Sequence, residues 1–116
     1  MAISEAYANT ESITSTEWSL TGDDNTLDAI TTDGVYQLWL DVSDMITGDE
    51  LQIRIYEKVQ AADTQRVVYQ SNLFGPQSPP IWVSPTLILI HGWDMSLDQI
   101  AGTSGITVTW SIRKVA

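Results

Sequence analysis

The residues of this 116-residue chain with the means to do chemistry are one histidine, fifteen carboxylates and five tryptophans. His91 sits beside Gly92 in the apolar run TLILIHGW. General acid–base catalysis needs a second titratable group within hydrogen-bond reach, and no spacing here supplies one, so His91 is read as structural. The serines and threonines occupy no nucleophile elbow, and no second histidine exists to activate them. A glycosidase needs two carboxyls converging across a cleft, whereas the acidic residues fall in turns and at strand ends, where solvation is the default. The chain is expected not to be an enzyme, and no catalytic residue is assigned.

Asp23, Asp24, Asn25 and Asp28 bring several oxygen ligands into one loop. They lack the ordered spacing and the glycine of a calcium-binding loop, so a solvated turn is expected, with no metal and no cofactor. Trp18, Trp39, Trp82, Trp93 and Trp110 are dense for this length. Flat indole faces can stack on a pyranose, but they can equally fill a small core or an intersubunit seam. Trp110 alternates with apolar residues and is expected inside, while Trp39 and Trp82 have the better claim to a surface.

The elements that must position these groups are strands. Val35 to Ser43 puts Tyr36, Leu38, Leu40 and Val42 on one face and Val35, Gln37, Trp39 and Asp41 on the other. Leu51 to Val59 alternates similarly, with Glu57 interrupting the apolar face. The turn Ala61 to Thr64 leads into Gln65 to Phe74, so these two strands are expected to pair antiparallel. The segment Gly75 to Pro80 cannot continue a ladder, because proline has no N–H to donate, and it reads as a presented loop. Ile81 to Val83 reads as a short edge strand. Thr86 to Trp93, apolar on both faces, reads as a central strand around which the core forms. Asp94 to Ala101 is strand or a single turn, and Ile106 to Ile112 is the final strand. Ser12 to Leu20 is a further strand, and residues 1–11 could form a flexible arm ahead of a domain spanning 12–116. The expected fold is all-β, an antiparallel β-sandwich, jelly-roll-like, with seven to eight strands.

Composition narrows the partners. The formal charge is −10, which repels phosphate backbones and anionic lipids, so neither nucleic acid nor membrane is expected as a ligand. Residues 1–50 carry eleven Asp or Glu and no Lys or Arg. That surface is either a solvated face that keeps the domain soluble or a complement to a basic partner. The apolar stretches are far shorter than the roughly 20 residues needed to cross a bilayer, and MAISEAYANT has neither the basic nor the apolar region of a leader. There is no cysteine, so stability must come from packing or association.

The run DGVYQLWLDVSDMITGDELQIRIYEKV, the segment PIWVSPTLILIHGWDMSL and the ending WSIRKVA resemble the capsid decoration, or cement, proteins of tailed bacteriophages, over most of the chain from about Asp33. The resemblance implies a non-enzymatic virion structural protein, commonly a trimer. Such a protein sits on the capsid exterior, where it bridges neighbouring subunits of the phage major capsid protein. Before assembly it would be soluble in the host cytoplasm. Partner contacts are then expected from Glu5, Tyr7 and Glu11, from Trp39, and from Pro79, Pro80 and Trp82. Two other roles share the same signature: a carbohydrate-binding sandwich using exposed tryptophans, and a phage fibre or tail component.

Overall fold

The computed structural model describes residues 2–115. Nine strands form two antiparallel sheets: β1 (Ile3–Ile13), β2 (Trp18–Ser19), β3 (Gly34–Asp41), β4 (Glu50–Glu57), β5 (Arg66–Phe74), β6 (Ile81–Val83), β7 (Leu87–Leu89), β8 (Asp94–Ala101) and β9 (Ile106–Val115). Sheet A runs β1-β9-β3-β6 with β7 also on β3, and sheet B runs β2-β8-β4-β5. The chain changes sheet at every connection except β4 to β5 and β6 to β7. The result is the expected all-β sandwich, with nine strands where seven to eight were expected, because residues 12–20 are divided between two strands.

The alternation of side chains explains which surfaces meet. Tyr36, Leu38 and Leu40 of β3 and Val108, Trp110 and Ile112 of β9 point inward from sheet A. Ile53 and Ile55 of β4 and Met95 and Leu97 of β8 answer them from sheet B, and all of these side chains are buried. Trp110 is in the core as its spacing predicts, and its indole N–H donates to the Leu20 carbonyl at 3.1 Å.

The strand pattern departs from expectation in four places. The run Ser12 to Leu20, expected as one strand, is divided between the end of β1 and the two-residue β2 of the opposite sheet. Residues 3–11, taken as an arm, form most of β1, which pairs with β9 over ten register positions; Met1 lies outside the described residues. Most of β1 is exposed, so its composition resembles an arm, yet Tyr7 and Ile13 turn inward and anchor it. The run Thr86 to Trp93 is not one central strand. It breaks into β7, a turn and the bridge residue Trp93, and Ile88 is left 81% exposed. The break has a local cause: Gly92 takes a φ of 60°, and the Glu57 carboxylate accepts the backbone N–H groups of Ile90 (2.7 Å) and His91 (2.9 Å). Asp94 to Ala101, left between strand and turn, is full strand β8, held between β2 and β4.

The Glu57 clamp gives a first prediction. Glu57→Ala leaves two N–H groups without their acceptor and is expected to cost about 1–3 kcal/mol in denaturant unfolding. Glu57→Gln, which keeps an acceptor oxygen, should lose less. Equal losses in the two variants would remove the clamp as the cause of the turn.

Candidate functional surface

Outward-facing side chains of sheet A line up in rows fixed by the strand register. The first row is apolar across four strands: Ile3 of β1 opposite Val115 of β9, Val115 opposite Val35 of β3, and Val35 opposite Ile88 of β7. Next come Glu5, Arg113 and Gln37; then Ala8, Ser111, Trp39 and Val83; then Thr10, Thr109, Asp41 and Ile81. Ile3 is 68% exposed, and Ile81 and Val83 are also exposed.

Arg113 organises the middle of this face. Its guanidinium carbon lies 4.1 Å from the centre of the Trp39 ring, a cation–π stack, and its Nε donates to Ser111 Oγ at 3.3 Å. Ser111 Oγ donates in turn to the Glu5 carboxylate. The Trp39 indole N–H donates to Gln37 Oε1 at 3.0 Å. Concavities of about 580 Å³ and 240 Å³ lie on either side of the stack, the first lined by Glu5, Thr10, Asp41, Ile81 and Thr109, the second by Ile3, Val35 and Val115. One face of the indole is already covered by Arg113, so a sugar stacking there would first have to displace the guanidinium.

The outer face of sheet B has the opposite character. Glu17 accepts hydrogen bonds from Tyr56 Oη and from Ser96 Oγ (2.6 Å), and it pairs with Arg54 at 3.6 Å, the one ion pair among the described residues. Gln52 and Asp98 sit opposite each other beside this cluster. Burial pushes the Asp98 carboxyl above its ordinary value, nearby Glu17 adds to the rise, and Arg54 opposes it. The centre of this face is polar, with Gln52 Oε1 and Asp98 Oδ1 unpartnered, while Phe74, Val67 and Ile100 are exposed as single apolar side chains toward its margins.

No protein-family model matches the chain, and no curated protein is significantly similar to it. Among solved structures, a chain of the Bacillus endospore appendages, described as a novel family of disulfide-linked pili, aligns with a TM-score of 0.55. That alignment covers 98% of this chain and 87% of the other at 13% identity. PirA aligns with a TM-score of 0.54 over 91% of this chain and 93% of its own, at 14% identity. The likeness is one of fold.

Of the residues singled out in the sequence, Glu5 and Trp39 meet on the sheet A face, and Pro79 and Pro80 are exposed just before Ile81. Tyr7 instead packs edge-on against Trp93 with ring centres 6.1 Å apart, and burial raises its pKa. Glu11 stands opposite Val108, on the inward side of β1. Trp82, expected at the surface, stands opposite Leu40 and packs against the core, because Ile81 and Val83 take the outward positions of β6. Arg113, Ser111 and the apolar row were not singled out. Their signal was the ending WSIRKV, in which an inward Trp110 and Ile112 force Ser111 and Arg113 outward.

In the acidic loop, Asp23 accepts from Asn9 Nδ2 and from the Trp18 indole N–H, Asp24 from the Thr26 N–H, and Asp28 from the Thr21 hydroxyl. Asp28 shares the single Thr21 hydroxyl proton with Asp94, and no three acidic or imidazole groups converge among the described residues. His91 is half-buried in the turn before β8, where its carbonyl accepts the Lys58 N–H at 3.0 Å.

Proposed function

We propose that this protein is a non-enzymatic structural module that acts by burying surface against neighbours in a larger assembly. The observation that supports this is the outer face of sheet A. On a molecule with a formal charge of −10, this face carries an aliphatic row, a stacked tryptophan and only Glu5, Arg113 and Asp41 as charges across its four rows. Exposed apolar area of this kind, rimmed by polar groups, is the usual mark of an interaction surface.

The specific assembly proposed is the exterior of a tailed-bacteriophage capsid, in keeping with the sequence resemblance. There the module bridges neighbouring major capsid subunits, and its carboxylate-rich loops meet basic shell surface. Disulfide linkage between subunits is chemically closed to a chain without cysteine, so the attachment proposed rests on surface contacts and not on disulfides. A module that binds only the assembled lattice stabilises that lattice by mass action.

The test uses shells assembled from the major capsid protein of the phage that encodes this chain. Addition of the purified protein should give saturable co-sedimentation and a higher melting temperature for the shell. Protein left in the supernatant at tens of micromolar, with no shift in shell melting, would sink the proposal.

A further inference from the structure

We infer that the outer face of sheet A mates with the same face of a second copy, about a two-fold axis running parallel to the strands between β9 and β3. The inference rests on the reading of this face as a docking surface and names its partner. Such an axis sets β9 of one copy over β3 of the other, and β1 over the β6/β7 edge, with every row meeting its own counterpart.

The rows match under that operation. Val115 faces Val35 of the second copy and Ile3 faces Ile88, so the aliphatic row is covered by itself. Arg113 faces the side-chain carbonyl of Gln37, and Glu5, which has no row partner on β6 or β7, faces the connection between them at residues 84–86. Ser111 faces Trp39 and Ala8 faces Val83. Thr109 brings a hydroxyl to Asp41, and Thr10 meets Ile81. No carboxylate meets a carboxylate and no cation meets a cation. An axis across the strands would instead lay the aliphatic row on Thr10, Thr109, Asp41 and Ile81. That places the second copy's Asp41 carboxylate against valine.

The matched rows cover four strands and seven residues of β9, on the order of 20 × 20 Å. The contact therefore extends beyond them over the broad face of a molecule measuring 40 × 32 × 20 Å, to reach the roughly 800 Å² per partner of a standard interface. Aligned sheet-on-sheet packing is an established way for two such faces to interdigitate. The same operation on the outer face of sheet B would set Asp98 over Gln52 and Ser96 over Arg54 of the second copy, rows that hold no aliphatic residue. An isologous contact closes as a pair, so the state expected is a dimer, not the trimer that the sequence resemblance implies.

Light scattering on the purified protein should report twice 12.8 kDa at micromolar concentration. Val35→Glu, and separately the more exposed Ile88→Glu, should raise the dimer dissociation constant on the order of 100-fold, with the circular dichroism unchanged. The chain has no native cysteine, so the axis can be read directly. A mixture of Ile3→Cys and Ile88→Cys proteins should be joined by a short bismaleimide far faster than either protein alone.

Preferential joining of Ile3→Cys to Thr10→Cys protein would place the axis across the strands and overturn the inference. A wild type that stays monomeric at hundreds of micromolar would overturn it too. A monomer that still co-sediments with shells leaves the decoration proposal standing. A dimer that ignores shells removes decoration and keeps the pairing.

Discussion

Asp94→Ala is expected to lower the melting temperature by roughly 15 °C, a loss of about 3–5 kcal/mol. Asp94 begins the strand at the middle of sheet B and is 0% exposed. Its carboxylate accepts from the Ser19 hydroxyl at 2.7 Å, the Thr21 hydroxyl at 2.8 Å, the Asp28 N–H at 2.8 Å and its neighbour Met95 N–H at 2.7 Å. These donors come from β2, from the long β2–β3 loop and from β8 itself. One side chain therefore ties that loop to the sheet, and alanine would leave the Ser19 hydroxyl and the Asp28 and Met95 N–H groups without this acceptor, while Thr21 keeps Asp28. A melting temperature within 3 °C of wild type would show that water replaces the carboxylate without penalty.

The same residue sets a pH dependence whose direction can be worked out. Burial raises the Asp94 carboxyl above its ordinary value, against the pull of its hydrogen bonds. A folded value above the unfolded one means that the native state holds the proton longer, so this contribution is fullest below about pH 4 and declines as pH rises through the folded value. Asp94→Asn cannot titrate there. The stability advantage of wild type over Asp94→Asn should therefore be larger at pH 4 than at pH 7. An advantage that grows with pH would show that the hydrogen bonds outweigh burial.

How far the sequence discloses this architecture depends on whether burial is periodic along the chain. β3 and β9 alternate cleanly, because each has one inward face and one more open face, and β4 alternates in residue type although Gln52 and Tyr56 on its outer side are buried. β8 reads DMSLDQIA, yet it lies at the centre of a sheet. Its polar residues are tolerated because Asp94 and Ser96 are hydrogen-bonded by partners from distant segments, Ser19, Thr21 and Glu17, that no local pattern connects. The run TLILIHGW errs the other way. It is the most apolar stretch of the chain but is turned out of the ladder by Glu57, more than thirty positions earlier. Half of the candidate surface was legible on the same grounds. Trp39 was placed outward by its own strand, whereas the aliphatic row exists only once four separate strands fall into register.

Trp93→Ala is expected to cost about 3–5 kcal/mol, because truncating a buried tryptophan removes both its transfer energy and its packing. Trp93 is 0% exposed and is not on a regular strand. Its ring lies 4.4 Å from that of Tyr36 on β3 and 6.1 Å from that of Tyr7 on β1, and its indole N–H donates to the Thr32 carbonyl at 3.1 Å. Its backbone exchanges two hydrogen bonds with Ile30, at 2.8 and 2.9 Å. Trp93 thus joins the β2–β3 loop, the turn before β8 and the two strands that carry Glu5 and Trp39. Trp93→Phe keeps most of the ring contacts and loses only the indole hydrogen bond, so it should cost about 1–2 kcal/mol. Hydrogen exchange in Trp93→Ala should rise first in residues 3–13 and 26–33, the segments held to this ring. Uniform exchange with no early loosening of β1 would mean that β9 pairing alone holds that strand. In that case the outer face of sheet A, and the docking built on it, would keep its shape without the tryptophan beneath.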